Sequence, residues 1–217
     1  MTRHFYKAYD LAQSHEGLQS KWVHESGNTK LVINVHRKFP LFTKLLRSKE
    51  VKTCIKSLYG DTPVYVTHSK ISFKSENINQ VWVPHQDTGY TLRLGEIPGT
   101  TICIFLEDCN RYNGTLEVFP KSHLLGRLKH QIFFVEGENE PQVRVARMPD
   151  ISPYPIEGKQ GSIHGIHYYT IHQSRRNSVG GYRCIFIFQV EPIGKLPPME
   201  DDGRDAIVLN GENYQRT

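Results

Sequence analysis

The sequence predicts a mainly β protein with flanking helices, built as a double-stranded β-helix, the jelly roll of cupin-like proteins. Three observations lead there. From Pro63 onward, seven short runs rich in β-branched and aromatic residues follow one another, punctuated by turn residues. The segments with helical periodicity all come earlier, so strands and helices do not alternate as a parallel βαβ sheet requires. A length of 217 residues suits a single core, because a division in two would leave each half marginal. The expected plan is one domain over 1–217, with helical support over about 1–60, a jelly-roll core over about 61–192 and a tail over about 193–217 that is peripheral or partly disordered.

In "FPLFTKLLRS", Phe42, Leu45 and Leu46 mark one or two helical turns. "RSKEVKTCIKSLYG" follows as an amphipathic helix, with Val51, Cys54, Ile55 and Leu58 at i, i+3, i+4, i+7, Ser48 as N-cap and Gly60 as terminator. The strands are then "PVYVTHSKISF", "VWVPHQD", "TTICIFLED", "GTLEVFP", "PQVRVARM", "GSIHGIHYY" and "YRCIFIFQV". Asn113 and Gly114 form a turn. "FVEGENEPQ" and "MPDISPYPIEGKQG" read as loops, and residues 131–158 as a lid over a mouth. No internal repeat is present.

Composition narrows the function. Hydrophobic residues make up 38% and charged residues 23%, which describes a folded globular chain. No apolar run approaches the roughly 20 residues of a membrane helix, and "MTRHFYKAYD" lacks the apolar core of a secretion signal, so a cytoplasmic protein with no membrane partner is expected. Cys54, Cys103, Cys109 and Cys184 lack CxxC spacing and are expected as reduced, buried thiols. The net charge of +5 is dispersed in small basic groups without interleaved aromatics, which argues against a nucleic-acid partner.

The chemistry centres on "VPHQD". His85 and Asp87 are two apart, so on a strand they share a face and can converge on one metal ion, with Gln86 facing away. A third ligand from another strand would complete a 2-His-1-carboxylate triad, and His123, His164, His167 and His172 are the candidates. His164 and His167 have odd spacing and cannot both point inward; one is a candidate for the cavity wall. His68 is expected on the sheet surface or behind the ligands.

From "LFTKLL" to "FIFQV" the chain resembles the phytanoyl-CoA dioxygenase family of Fe(II)/2-oxoglutarate-dependent oxygenases. "VPHQD" is similar to its HxD segment, "LEDCNRYNGTLEVFPKSH" to its Asn-Gly turn and Pro-x-Ser-His corner, and "GSIHGIHYYTIHQSRRNSVGGYR" to the segment with its distal histidine and cosubstrate arginine. The resemblance implies iron(II) on His85, Asp87 and His172, with 2-oxoglutarate and O2 as cosubstrates. Arg183 would anchor the far carboxylate of 2-oxoglutarate, a task that suits its planar fork, and the Ser174 hydroxyl would donate to the same group. Lys74 and Gln86 are further cosubstrate candidates, and Asn177 falls at a family position. His123 fits a structural corner histidine.

The implied reaction converts 2-oxoglutarate to succinate and CO2 while oxidising a small molecule, with hydroxylation of an unactivated C–H bond in specialised metabolism the first expectation. Asp87 argues against halogenation, which needs a small residue there; desaturation, epimerisation and cyclisation remain open. Thr88 to Gly99 and the lid are expected to line the pocket, with Trp82, Tyr90, Arg93 and Arg175 as substrate candidates. An acyl-CoA or carrier-bound substrate and a non-catalytic binding module are the alternatives. Two departures stand out. Only about 40 residues precede "LFTKLL", so a homodimer could replace missing pocket wall as readily as a monomer could do without it, and the family's Gly-Asp turn reads Gly161-Ser162.

Overall fold

A computed structural model of the chain describes residues 23–26, 29–75, 81–90, 99–134, 141–193 and 207–210. Strands β1 (Val23–Ser26) and β2 (Thr29–Ile33) come first, followed by three helices, α1 (Val35–Lys38), α2 (Pro40–Leu46) and α3 (Lys49–Tyr59). Next are β3 (Val64–Ser75), β4 (Trp82–His85), a 3-10 turn at Asp87–Gly89, β5 (Thr100–Phe105) and β6 (Leu116–Val118). A 3-10 turn at Ser122–Leu125 leads to β7 (His130–Phe133), β8 (Gln142–Val145), β9 (Tyr154–Pro155), β10 (Ile163–His167), β11 (His172–Ser174), β12 (Tyr182–Pro192) and β13 (Val208–Leu209).

The strands form two antiparallel sheets of a jelly roll. The larger has the order β1-β2-β3-β12-β5-β10, with β13 also on β3, and the smaller has β4-β11-β6-β9. Antiparallel β7 and β8 make a separate pair. The long register of β12 between β3 and β5 forms the backbone of the larger sheet.

Both faces of that sheet are covered, and the sequence shows it. In "TTICIF" all six residues are buried: Ile102 and Ile104 point to the helices, and Cys103 and Phe105 point between the sheets. The helix side is the main core, where Phe42, Leu46, Val51 and Ile55 pack on Ile71, Phe186 and Phe188. Between the sheets, Ile166, Ile185 and Ile187 meet Leu116 and Val118. The polar residues on the inner face of β3, Lys70, Ser72 and Lys74, alternate with Ile71 and Phe73 on the outer face.

Helix α3 starts as expected, with the Ser48 hydroxyl accepting from Val51 N at 3.4 Å and Gly60 ending it at φ 60°. Its apolar stripe is narrower than the periodicity implies, because Leu58 lies at the end beside Gly165 of β10 and stays half exposed.

Three expectations are corrected. The support region is not helical throughout, since β1 and β2 extend the larger sheet before the first helix. The tail supplies β13, whose Leu209 is buried in the core against β3; residues 194–206 and 211–217 lie outside those described. The lid region holds a second strand besides the expected one in "PQVRVARM": β7 pairs with β8 from His130↔Val145 to Phe133↔Gln142. The Gln142 side chain bonds Val81 O and Val83 N and so docks this pair beside β4, a tertiary contact that no local pattern announces.

Candidate metal and cosubstrate site

Strand pairing assembles the site. His172 opens β11 directly opposite His85, the last residue of β4, and Asp87 begins the 3-10 turn that follows. Gln86 between them is extended, at φ −104° and ψ 147°, so the two-residue periodicity persists past the strand end and Asp87 turns to the same side as His85. All three side chains are buried, and one ligand atom from each lies within 4.8 Å of the others. His172 Nε2 stands 3.9 Å from Asp87 Oδ1.

Each imidazole is oriented by its own backbone. His85 Nδ1 bonds Val83 O at 2.7 Å and His172 Nδ1 bonds Thr170 O at 3.0 Å. A carbonyl only accepts, so Nδ1 carries the proton and Nε2 presents its lone pair to the centre. Thr101 donates its hydroxyl to Asp87 Oδ2, which leaves Oδ1 toward the histidines. Burial lowers the His85 pKa, with help from His172, so the ring is neutral and fit to ligate. For Asp87, burial alone would raise the pKa, but His172, His85 and Lys70 outweigh it and hold the carboxyl below its usual range. Two neutral-capable imidazoles and a carboxylate on one buried face suit a first-row divalent metal such as iron(II).

The triad opens into a cavity of about 520 Å³ between the two sheets. Arg183 lines it from β12 and is 2% exposed. Its Nη1 reaches Ser72 Oγ at 3.1 Å and Ser72 O at 3.3 Å, while buried Nε finds no hydrogen-bond partner among the described residues. A buried guanidinium with a donor to spare calls for an anion, and a dicarboxylate held at its other end by the metal fits that demand. Burial pushes the Arg183 pKa down, without removing the charge from a group that titrates so high.

Several expected cosubstrate contacts prove structural. Gln86 is fully buried on the opposite face, where Nε2 donates to Gly126 O and Tyr169 O and Oε1 accepts from Leu128 N; it fastens the 126–128 segment and does not reach the cavity. Lys74 is also absent from the cavity wall. Its fully buried ammonium donates to Ser174 Oγ at 2.6 Å, to Ser174 O at 3.2 Å and to Arg175 O, tying β3 to β11. Ser174 does line the cavity, but its hydroxyl hydrogen goes to Gly114 O at 2.9 Å, so the expected donation to 2-oxoglutarate is replaced by a bridge from Lys74 to the 110–114 turn. Gly114 is required there: its φ is 76°, and a Cβ would stand 2.7 Å from Arg175 O.

Of the substrate candidates, Trp82 and Tyr90 line the cavity, with the Tyr90 ring edge-on to His85 at 5.2 Å. Arg175 does not; its Nε donates to Glu117 at 2.9 Å. Arg93 lies outside the described residues. Neither His164 nor His167 is in the cavity wall: His164 packs at a tilt against Phe105 and His167 packs near His123, at ring distances of 4.6 and 5.6 Å. His123 therefore sits among structural groups. His68 is part of the cavity wall, and burial lowers its pKa to about 4, assisted by Lys70 and His36. Asn177, buried, closes the β11–β12 connection by bonding Lys74 O and Gly181 O.

Four contributors escaped the sequence reading: Thr101, Ser72, Lys70 and Ser122, whose hydroxyl accepts from Ile171 N at 2.8 Å and fixes the entry to β11. Polar alternation in "KISFK" was the available signal for Lys70 and Ser72. Thr101 follows Thr100 at the start of a strand whose other residues are apolar, and gave none.

The phytanoyl-CoA dioxygenase (PhyH) family model matches residues 6–185, most of the chain, including His85, Asp87, His172 and Arg183. The chain belongs to the phytanoyl-CoA dioxygenase family. A phytanoyl-CoA dioxygenase of Arabidopsis thaliana is 32% identical over 148 residues, 66% of this chain and 50% of the relative. The L-proline trans-4-hydroxylase of Streptomyces griseoviridis is 26% identical over 153 residues, 62% of this chain and 57% of that enzyme. The chain thus spans about half the length of the curated relatives it matches. Among solved structures, the non-heme alpha-ketoglutarate-dependent epimerase SnoN from nogalamycin biosynthesis superposes with a TM-score of 0.69 at 15% identity, over 88% of this chain and 73% of SnoN. EctD from S. alaskensis, solved with 2-oxoglutarate and 5-hydroxyectoine, gives 0.68 at 15%, over 88% and 68%. These two likenesses establish the shared jelly-roll fold.

Proposed function

We propose that the PhyH-family chain is an Fe(II)/2-oxoglutarate-dependent oxygenase that hydroxylates an unactivated C–H bond of a small molecule. The observation that carries this reading is the pairing, in one cavity, of a buried His85–Asp87–His172 cluster with a buried Arg183 whose Nε lacks a partner among the described residues. EctD, solved in separate structures with iron and with 2-oxoglutarate, supports the same pair of groups here.

In this reading His85, Asp87 and His172 hold iron(II) on one face, and Arg183, steadied by Ser72, fixes the far carboxylate of 2-oxoglutarate. When bound, these groups supply the oxidising chemistry, in which O2 converts 2-oxoglutarate to succinate and CO2 and oxidises the substrate. The protein's share is placement and dryness. Thr101 holds the Asp87 carboxylate in one orientation, the two backbone-bonded imidazoles keep their tautomer, and the Lys74–Ser174–Gly114 bridge holds β11, and with it His172, in register. Trp82 and Tyr90 stand where substrate would meet the metal. Desaturation, epimerisation or cyclisation would use the same site; hydroxylation is preferred because the proline hydroxylase is among the curated relatives. We place the protein in the cytoplasm, as a monomer or homodimer acting on a small molecule and not on nucleic acid or membrane. No helix among the described residues is long and apolar enough to cross a bilayer.

The test is an anaerobic titration of the apo-protein with iron(II) and 2-oxoglutarate. A visible charge-transfer band, lost in Asp87→Ala and weakened in Arg183→Ala, and succinate release on admitting O2 are expected. A folded protein that gives neither band nor succinate would sink the oxygenase reading in favour of a binding module.

A further inference from the structure

Apart from the triad and Arg183, the cavity wall holds one more cation, Lys70, among the described residues. Lys70 lies on β3 with Ile33 of β2 as its cross-strand partner on one side and Ile187 of β12 on the other, and both isoleucines also line the cavity. Leu31, two residues before Ile33 on β2, lines the cavity as well, and Trp82 lines it from the smaller sheet. Among the described residues nothing pairs with or accepts a hydrogen bond from the Lys70 ammonium. Lys70 shares the cavity wall with His85 and Asp87 of the metal cluster. The cavity's other acid, Glu191, is held by the Tyr65 hydroxyl at 2.9 Å. On β12, Arg183 and Ile187 are four residues apart, about 13 Å of strand, so the backbones of the two cations address different parts of the cavity.

We propose that Lys70 is the substrate anchor, a specificity-determining residue that pairs with a carboxylate, so that the substrate is a small and largely apolar carboxylic acid. This rests on the oxygenase reading for its reaction but not for its binding. A lone ammonium with apolar neighbours gains most from an anion that arrives with its own apolar body, and a cavity of about 520 Å³ holds a small metabolite of that kind. An acyl thioester, whose carboxylate is masked, would leave Lys70 unpaired.

The apo-protein without 2-oxoglutarate would be titrated with hexanoate, octanoate and phenylacetate, each against its primary amide, by following thermal stability. The acids are expected to bind at least fivefold more tightly than the amides in the parent and in Lys70→Arg. In Lys70→Met, whose side chain keeps the length and packing, acid and amide become equal. An Arg183→Gln control identifies acids captured at the cosubstrate end and is expected to keep the preference. Equal binding of acid and amide by the parent, or a preference that survives Lys70→Met and disappears in Arg183→Gln, overturns the proposal. The iron and 2-oxoglutarate band of the parent separates the two readings: an acid preference without a band removes the oxygenase and leaves the anchor, whereas a band without the preference removes the anchor alone.

Discussion

Thr101 has the role most easily isolated. Its hydroxyl bonds the Asp87 oxygen turned away from the histidines, so Thr101→Val leaves the ligands intact and frees the carboxylate to rotate. Loss of such an orienting partner is expected to weaken iron(II) binding by about 10- to 100-fold, read as a shift in metal titration without a matching loss of fold. Arg183→Lys keeps a charge and removes the fork, and 2-oxoglutarate affinity should fall at least tenfold while metal affinity stays near that of the parent. The acid limb of stability belongs to the histidines. His85 and His68 are held neutral in the fold, His68 with a pKa of about 4, so below about 6.5, where the unfolded rings charge, the unfolded chain binds more protons. Apo-protein stability is therefore expected to fall as pH drops from 7 to 4. His68→Gln should flatten that decline, as thermal melts across the range would show.

Elements hold these residues in place through contacts distant in sequence. Lys74 on β3 and Ser174 on β11 are 100 residues apart, and the lysine satisfies acceptors that are otherwise buried. Lys74→Met would fill the space but leave those acceptors unpaired, at a cost of about 3 kcal/mol by denaturant unfolding. Because β11 begins with His172, the same variant should also weaken iron binding. Helix α3 offers a contrast remote from the site: Ser48→Ala removes its cap and should cost about 1 kcal/mol with no effect on the metal.

For the whole molecule, the layers explain why the cavity lies where it does. Helices and apolar residues close the outer face of the larger sheet, and between the sheets the inner core of Phe105, Ile185 and Ile187 gives way to Lys70, Thr101 and Gln189 near the metal cluster. An irregularity in the β3–β12 pairing, where Gln189 faces His68 and Val190 faces Val66, leaves Thr67 as an extra residue, and both Thr67 and His68 line the cavity. Strand β2 closes the side next to Lys70 through Leu31 and Ile33 and places Val32 in the core. Deleting residues 1–33 would uncover the β3 edge along Lys70–Phe73 and open the cavity; the shortened protein should aggregate or melt well below the parent in a thermal scan.

The strand-rich order, the α3 cap and the same-face placement of His85 and Asp87 were determined by sequence, because each depends on period, composition or a neighbour within four residues. His164, His167 and His172 could not be ranked by local pattern, and a family resemblance was needed to single out His172. Tertiary structure decided the rest. The register of β11 against β4 brings His172 opposite His85, and long-range bonds commit Gln86, Lys74 and the Ser174 hydroxyl hydrogen to the scaffold while leaving Lys70 facing the cavity. A polar side chain on a strand announces its face, but its partner is chosen by whichever distant strand the fold lays beside it, and that pairing is a property of the whole chain.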